Sequence, residues 1–80
     1  MKFVRVTQDD IERGLKQNVD SCPLALALKR KHPGQYVKVA RRLIFVGSEI
    51  YCHSPGSDKF IKKFDTGRKV RPTFFLLPLL

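Results

Sequence analysis

Residues 22–34 read CPLALALKRKHPG, and this stretch determines how the rest of the chain is arranged. From Leu24 to Leu28 every residue is apolar, so the pattern predicts a helix from Cys22 to His32 that is buried on all sides. The helix closes with a run of cations at residues 29–32, which suit the negative end of the helix dipole. The Pro-Gly pair at residues 33–34 then stops it.

A short strand and a short helix precede this core helix. Residues 2–6 alternate between polar and apolar side chains, as in a strand. Thr7 and Asp10 are spaced as in a capping box, which predicts a helix start at this point. Leu15 is expected on the apolar face of that helix, four residues after Ile11, although Gly14 weakens the helix interior.

Three strands, a helix and a last strand follow the core helix. Three strands are predicted at Tyr36 to Val39, Leu43 to Val46 and Ile50 to His53, because these stretches are rich in β-branched and aromatic residues. A tight Gly47-Ser48 turn joins the second and third of them. Ser54-Pro55 is typical of a helix start and Gly67 of a helix end. The last strand, Arg71 to Leu77, is predicted to pair only between Pro72 and Pro78.

The element order β-α-α-β-β-β-α-β predicts a small single α+β domain over residues 1–80, with helices packed on one face of a mainly antiparallel sheet. Two cysteines allow at most one disulfide, and no secretory signal pattern opens the chain. We therefore expect free thiols and a cytoplasmic protein. The longest apolar run has seven residues, which excludes a membrane-spanning helix of about 20.

Charge is the most informative functional feature of the sequence. Sixteen Lys and Arg face seven Asp and Glu, which gives a net charge of +9. The excess comes from residues 21–80, and the stretch 29–42 contains bases but no acid. Since unopposed like charges repel one another, this stretch predicts a polyanionic partner.

We predict a non-enzymatic nucleic-acid-binding accessory protein that contacts phosphates with little base specificity. The candidate binding residues are the bases from residue 29 onward: Lys29, Arg30, Lys31, Lys38, Arg41, Arg42, Lys59, Lys62, Lys63, Arg68, Lys69 and Arg71. One alternative is an interaction module or inhibitor that docks on an acidic protein, with a homodimer formed through the Phe74–Leu80 edge. A second alternative is a protein that sequesters a small nucleotide.

No catalytic residue, metal or cofactor is expected. Cys22 stands beside the apolar run and is predicted to be a buried, unreactive thiol. Together with Cys52, His32 and His53 it lacks the spacing of a zinc site. No glycine-rich phosphate loop or nucleophile motif is present.

Three segments of the chain resemble a group of small uncharacterised proteins of bacteriophages and bacteria. They are Thr7-Gln8…Ile11…Gly14, Cys22-Pro23-Leu24-Ala25-Leu26-Ala27 and Phe64-Asp65-x-Gly67-x-x-Val70-x-Pro72-x-Phe74. The resemblance spans most of the chain and brings no activity, ligand or catalytic residue with it. It implies a cytosolic accessory protein of a phage or another mobile element. The basic character of residues 35–53 is a property of this sequence and is not implied by the resemblance.

Overall fold

The computed structural model describes all 80 residues and contains five strands and three helices in the predicted order. The elements are β1 (Lys2–Val6), α1 (Gln8–Arg13), α2 (Pro23–Lys31), β2 (Val37–Val39), β3 (Leu43–Val46), β4 (Glu49–Cys52), α3 (Pro55–Asp65) and β5 (Thr73–Leu77). The predicted α+β class is therefore confirmed. None of the three helices has the length and hydrophobicity that a bilayer crossing requires.

The helices begin where the sequence predicts them, because side chains satisfy their first backbone N–H groups. The Asp10 N–H donates to Thr7 Oγ1 at 3.2 Å and the Thr7 N–H donates to the Asp10 carboxylate at 2.8 Å, which completes the capping box of α1. Cys22 Sγ accepts from the Ala25 N–H at 3.4 Å and caps α2. Ser54 caps α3 in the same way.

The first helix is shorter than predicted, and the placement of Leu15 on its apolar face is wrong. α1 ends at Gly14, whose backbone is extended, and Leu15 is exposed beyond the helix. A Cβ at Gly14 would lie 2.7 Å from two ring carbons of Pro23. The start of α2 therefore approaches the chain so closely at this point that only glycine fits, and Ile11 alone carries the apolar contact of α1 with the core.

The strands form two antiparallel sheets rather than the single sheet that we predicted. β1 pairs with β5, and β2, β3 and β4 form a meander. The two sheets meet beyond Pro78, where the Cys52 N–H donates to the Pro78 carbonyl at 2.8 Å and Leu79 bridges Tyr51. Proline has no N–H for the ladder, so the chain changes partner from β1 to β4 at this residue.

The Phe74–Leu80 stretch is paired on one side only. Its first part is hydrogen-bonded to β1, and its last residues are hydrogen-bonded to β4. Because the β1–β5 sheet has two strands, β5 keeps one unpaired edge, and a homodimer through this stretch stays a prediction. The exposed apolar side chains Phe74 and Leu76 lie on a face of the β1–β5 ribbon.

The core lies between α2 and the inner faces of both sheets. Leu24 and Leu28 of α2 are fully buried, as predicted, and the helix packs against both β1 and β2. Helix α3 joins the same core through Phe60, whose ring meets the Phe75 ring edge-on with 5.4 Å between centroids. Phe75 points to the inner face of β5, so α3 lies on the inner side of the ribbon.

Candidate nucleic-acid interface

Helix α3 presents a basic face to the solvent. Phe60 and Phe64 turn inwards and are buried, which leaves Lys59 and Lys62 exposed on the outer side of an 11-residue helix and Lys63 half-buried at its flank. Three positive side chains consequently project from two adjacent turns of one helix. Clefts lie along both flanks of this face.

The first flank is a cleft of about 400 Å³ between α3 and β5, which we call the basic cleft. Four of the twelve predicted binding residues line it: Lys59, Lys63, Lys69 and Arg71. No carboxylate lines this cleft, and none of the four cations forms an ion pair. Gly56 and the aromatic rings of α3 and β5 form part of its wall. Since nothing within the chain neutralises these cations, an anionic group is the ligand that the cleft favours.

The second flank joins the β2–β3 connection to α3. Arg41 and Arg42 line a cleft of about 470 Å³ together with Lys62. Asp58 also lines it and lies 2.9 Å from the Lys62 ammonium, whose hydrogen bond holds the pKa of the Asp58 carboxyl below its usual value. This flank is thus less purely positive than the basic cleft.

His53 holds the second flank together. Its Nε2 lies 2.9 Å from the Ala40 carbonyl oxygen, to which it donates, and its Nδ1 lies 2.9 Å from Ser57 Oγ. The imidazole therefore ties the chain immediately before Arg41 to the first turn of α3. In the sequence His53 is considered only as a zinc ligand, and its positioning role follows from the three-dimensional contacts.

The bases at residues 29–31 form hydrogen bonds within the chain. Arg30 forms an ion pair with the buried carboxylate of Asp10 at 2.5 Å and donates to the Arg5 carbonyl at 3.0 Å. Lys31 donates to the Phe3 carbonyl, and Lys29 donates to the carbonyl of residue 20 at 2.5 Å. The prediction groups these three bases with those of α3. The structure places them against β1 and the loop before α2, and phosphate contact by them stays a prediction.

The position of α2 explains this separation. The beginning of α2, at Cys22, lines a cleft with Ile61 and Lys62 of α3, whereas Arg30 and Lys31 near its end contact β1. Nine helical residues span about 13 Å. The helix end that carries Arg30 and Lys31 therefore points away from α3.

The two remaining predicted residues lie outside both clefts. Lys38 is on β2, in register with Phe45 and on the side opposite the buried Val37 and Val39. Arg68 follows α3, and its backbone N–H donates to the Lys63 carbonyl at 2.9 Å.

Lys16 is a base near α3 that the sequence did not single out. A Cβ on Gly67 would lie 3.3 Å from its Nζ, and the Gln17 N–H next to it donates to the Asp65 carboxylate at 2.9 Å. In the sequence Lys16 belongs to a segment with balanced charge. Only the folding of the loop after α1 onto α3 reveals its position.

Some other candidate groups are structural. Tyr51 is buried and donates to the Glu49 carboxylate at 2.6 Å, and this hydrogen bond together with burial raises the pKa of Tyr51 to about 12. Cys22 is buried as predicted, and burial raises the pKa of its thiol. No group of three or more His, Cys, Asp and Glu side chains is close enough to hold a metal ion.

Comparison of the chain with protein-family models, with curated proteins and with solved structures found no match. The function proposed below therefore depends on side-chain positions and charge.

Proposed function

We propose that the protein binds nucleic acid through the face of α3 and its two flanks, without catalysing a reaction. The observation that supports this most directly is the basic cleft, where Lys59, Lys63, Lys69 and Arg71 converge with no carboxylate. With Arg41, Arg42 and Lys62 the surface offers seven cations, and only the last of these is paired with an acid. We call these seven residues the α3 surface.

Contacts of this kind position phosphates and do not distinguish bases. We therefore expect binding with little sequence preference and with a strong dependence on salt, because bound counterions are released from the nucleic acid. If six or seven phosphates of a duplex are contacted, log K should fall with log salt at a slope of about −5 to −6.

The test is fluorescence anisotropy with labelled duplex DNA, single-stranded DNA and RNA of equal length at rising salt. The test variant replaces the four bases of the basic cleft with glutamine: Lys59→Gln, Lys63→Gln, Lys69→Gln and Arg71→Gln. The control variant removes the same charge elsewhere: Lys2→Gln, Arg5→Gln, Arg13→Gln and Lys38→Gln. The test variant should reduce the slope by about 3 to 4, whereas the control should leave it near the wild-type value.

Two results would refute the proposal. One is the absence of binding to all three nucleic acids at low salt. The other is an equal loss of affinity in both variants, because it would show that overall charge, rather than the α3 surface, is responsible.

A small nucleotide is a second candidate ligand, because the basic cleft has the volume of a small-molecule site and carries four cations. Thermal unfolding with mono- and dinucleotides separates the two functions. A ligand that binds only the folded protein raises the unfolding temperature. Stabilisation by mononucleotides at micromolar concentration would favour sequestration, and stabilisation by polymers alone would favour nucleic-acid binding.

We propose that the protein is located in the cytoplasm of a bacterium or of a phage-infected bacterial host, where nucleic acid is accessible to a small accessory protein. Two cysteines that form no disulfide are consistent with a reducing compartment. Location of a fluorescently tagged protein in the host cell, with and without nuclease treatment, tests this placement.

A further inference from the structure

The outer face of the β1–β5 ribbon carries apolar side chains that nothing in the chain covers. Phe3 and Leu76 are cross-strand partners, and Phe74 pairs with Arg5 on the same face. Phe74 is 57% exposed and Leu76 is 48% exposed. The Phe3 and Phe74 rings are in contact, with 5.4 Å between their centroids. We call Phe3, Phe74 and Leu76 the ribbon patch.

The ribbon patch is bordered by positive charge. Arg5 projects from the same face, and the Lys31 ammonium lies 5.4 Å from the centroid of the Phe3 ring. Arg30 lines a shallow cleft with Phe3, Arg5 and Lys31. No acidic residue occurs in either strand, or anywhere in residues 1–6 and 66–80.

We propose that the ribbon patch binds an acidic amphipathic segment of a partner protein. Apolar side chains of that segment would cover Phe74 and Leu76, and its carboxylates would lie against Arg5 and Lys31, whose charges no acid of the chain neutralises. Charge complementarity supports this occupant, because a basic rim around an apolar centre attracts a partner of opposite charge.

A second copy of the chain fits the patch less well. In a two-fold dimer the same patch meets itself, so the rim cations Arg5 and Lys31 of one copy would be brought towards those of the other. Like charges in an interface cost binding free energy.

Nucleic acid also fits this patch less well than a protein does. Base stacking needs an accessible aromatic face. The Phe3 ring already contacts the Phe74 ring and the Lys31 ammonium, and Leu76 offers methyl groups instead of a π surface, so Phe74 alone has a ring exposed enough to stack on a base.

The ribbon patch and the α3 surface lie on opposite sides of the ribbon. Phe75 faces inwards to Phe60 of α3, and its sequence neighbours Phe74 and Leu76 face outwards. The protein could therefore hold nucleic acid on one side and an acidic protein segment on the other.

The test titrates the full chain, labelled with ¹⁵N, with three synthetic peptides. The first has Leu and Phe on one helical face and Asp and Glu on the other, the second is a scramble of the first, and the third replaces its acids with lysine. The first peptide should shift the backbone signals of β1 and β5, and the other two should bind much more weakly.

The variants Leu76→Thr and Leu15→Thr form a matched pair, because Leu15 is similarly exposed, at 54%, but belongs to the loop between α1 and α2 and not to the β1–β5 ribbon. We expect Leu76→Thr to weaken the affinity for the first peptide about tenfold and Leu15→Thr to leave it unchanged. Both variants should retain the wild-type unfolding temperature within a few degrees, since both side chains face solvent.

Several results would overturn the proposal. One is the absence of signal shifts with the first peptide at millimolar concentration, and another is equal affinity of Leu76→Thr and wild type for it. A wild-type dimer in light scattering that Leu76→Thr dissociates would assign the patch to a second copy. Loss of affinity for nucleic acid or for anionic vesicles in Leu76→Thr would assign it to those partners.

Discussion

Replacing Arg30 with glutamine should destabilise the fold and leave nucleic-acid binding unchanged. The Arg30 guanidinium is the only side-chain cation paired with Asp10, whose side chain is 4% exposed, and it also donates to the Arg5 carbonyl. Removal of one partner from a fully buried ion pair costs about 3–5 kcal/mol. Because the Arg30 side chain is itself 50% exposed, solvent screens part of this interaction, and we expect a loss of about 2 kcal/mol.

In an 80-residue domain, such a loss lowers the unfolding temperature by about 8–16 °C. Circular dichroism during heating measures this change, and anisotropy with duplex DNA at several salt concentrations measures binding at a temperature where both proteins are folded. Lys63→Gln is the matched control, since it removes one charge from the basic cleft and breaks no ion pair.

Each variant should therefore change only one of the two measured quantities, the unfolding temperature or the salt slope of binding. Lys63→Gln should keep the wild-type unfolding temperature within about 2 °C and reduce the salt slope by about 0.9. Arg30→Gln should keep the slope of the wild type. An unchanged unfolding temperature in Arg30→Gln, together with a reduced slope, would refute the assignment of this arginine to the fold.

Three further substitutions or titrations test single contacts. Gly14→Ala should reduce the free energy of unfolding by about 1–3 kcal/mol in denaturant titrations, because its Cβ would lie 2.7 Å from Pro23 ring carbons. Tyr51 should ionise with a pKa of about 12 in an absorbance titration, and Glu49→Gln should lower that value, because it removes the carboxylate that accepts from Tyr51. The raised pKa stabilises the fold below the unfolded value of about 10, and this contribution should disappear as the pH rises from about 10 to 12. Cys22 should react with a thiol reagent only as fast as the protein opens, because burial raises its pKa and excludes the reagent.

Each of these predictions has an internal control. Gly56→Ala adds a methyl group in ordinary van der Waals contact, at 3.6 Å from the Phe75 ring, and should not destabilise the protein comparably. A Tyr36→Phe background leaves Tyr51 as the only tyrosine, and a Cys52→Ser background leaves Cys22 as the only thiol. Equal effects of both alanine substitutions would contradict the prediction for Gly14. An unchanged titration in Glu49→Gln would contradict the prediction for Tyr51. Labelling of the native thiol at the rate of denatured protein would contradict the prediction for Cys22.

The local structure could be predicted from the sequence because short-range chemistry decides it. The Thr7 and Asp10 capping box, the apolar run of α2 and the Gly47 turn depend on residues within a few positions of one another. The end of α1 could not be predicted in this way. It depends on the packing of Gly14 against Pro23, nine residues later.

The candidate site was predictable in composition but not in arrangement. The charge of the chain indicates an anionic partner, and four of the six bases of α3 and the following loop line one cleft. The sequence does not show that Arg30 and Lys31 hydrogen-bond to β1, because those carbonyls come from residues more than twenty positions away. The same limit applies to Lys16, which joins the surroundings of α3 only through tertiary contacts.

The pairing of β1 with β5 has a consequence for how the molecule assembles. The two strands are roughly 70 residues apart in the chain, and closing a loop of that length costs about 4 kcal/mol of entropy. The hairpins of the meander close over a few residues and can form early. We therefore expect the ribbon to form last and to set the folding rate, so that a nascent chain on the ribosome completes its core only after β5 has emerged.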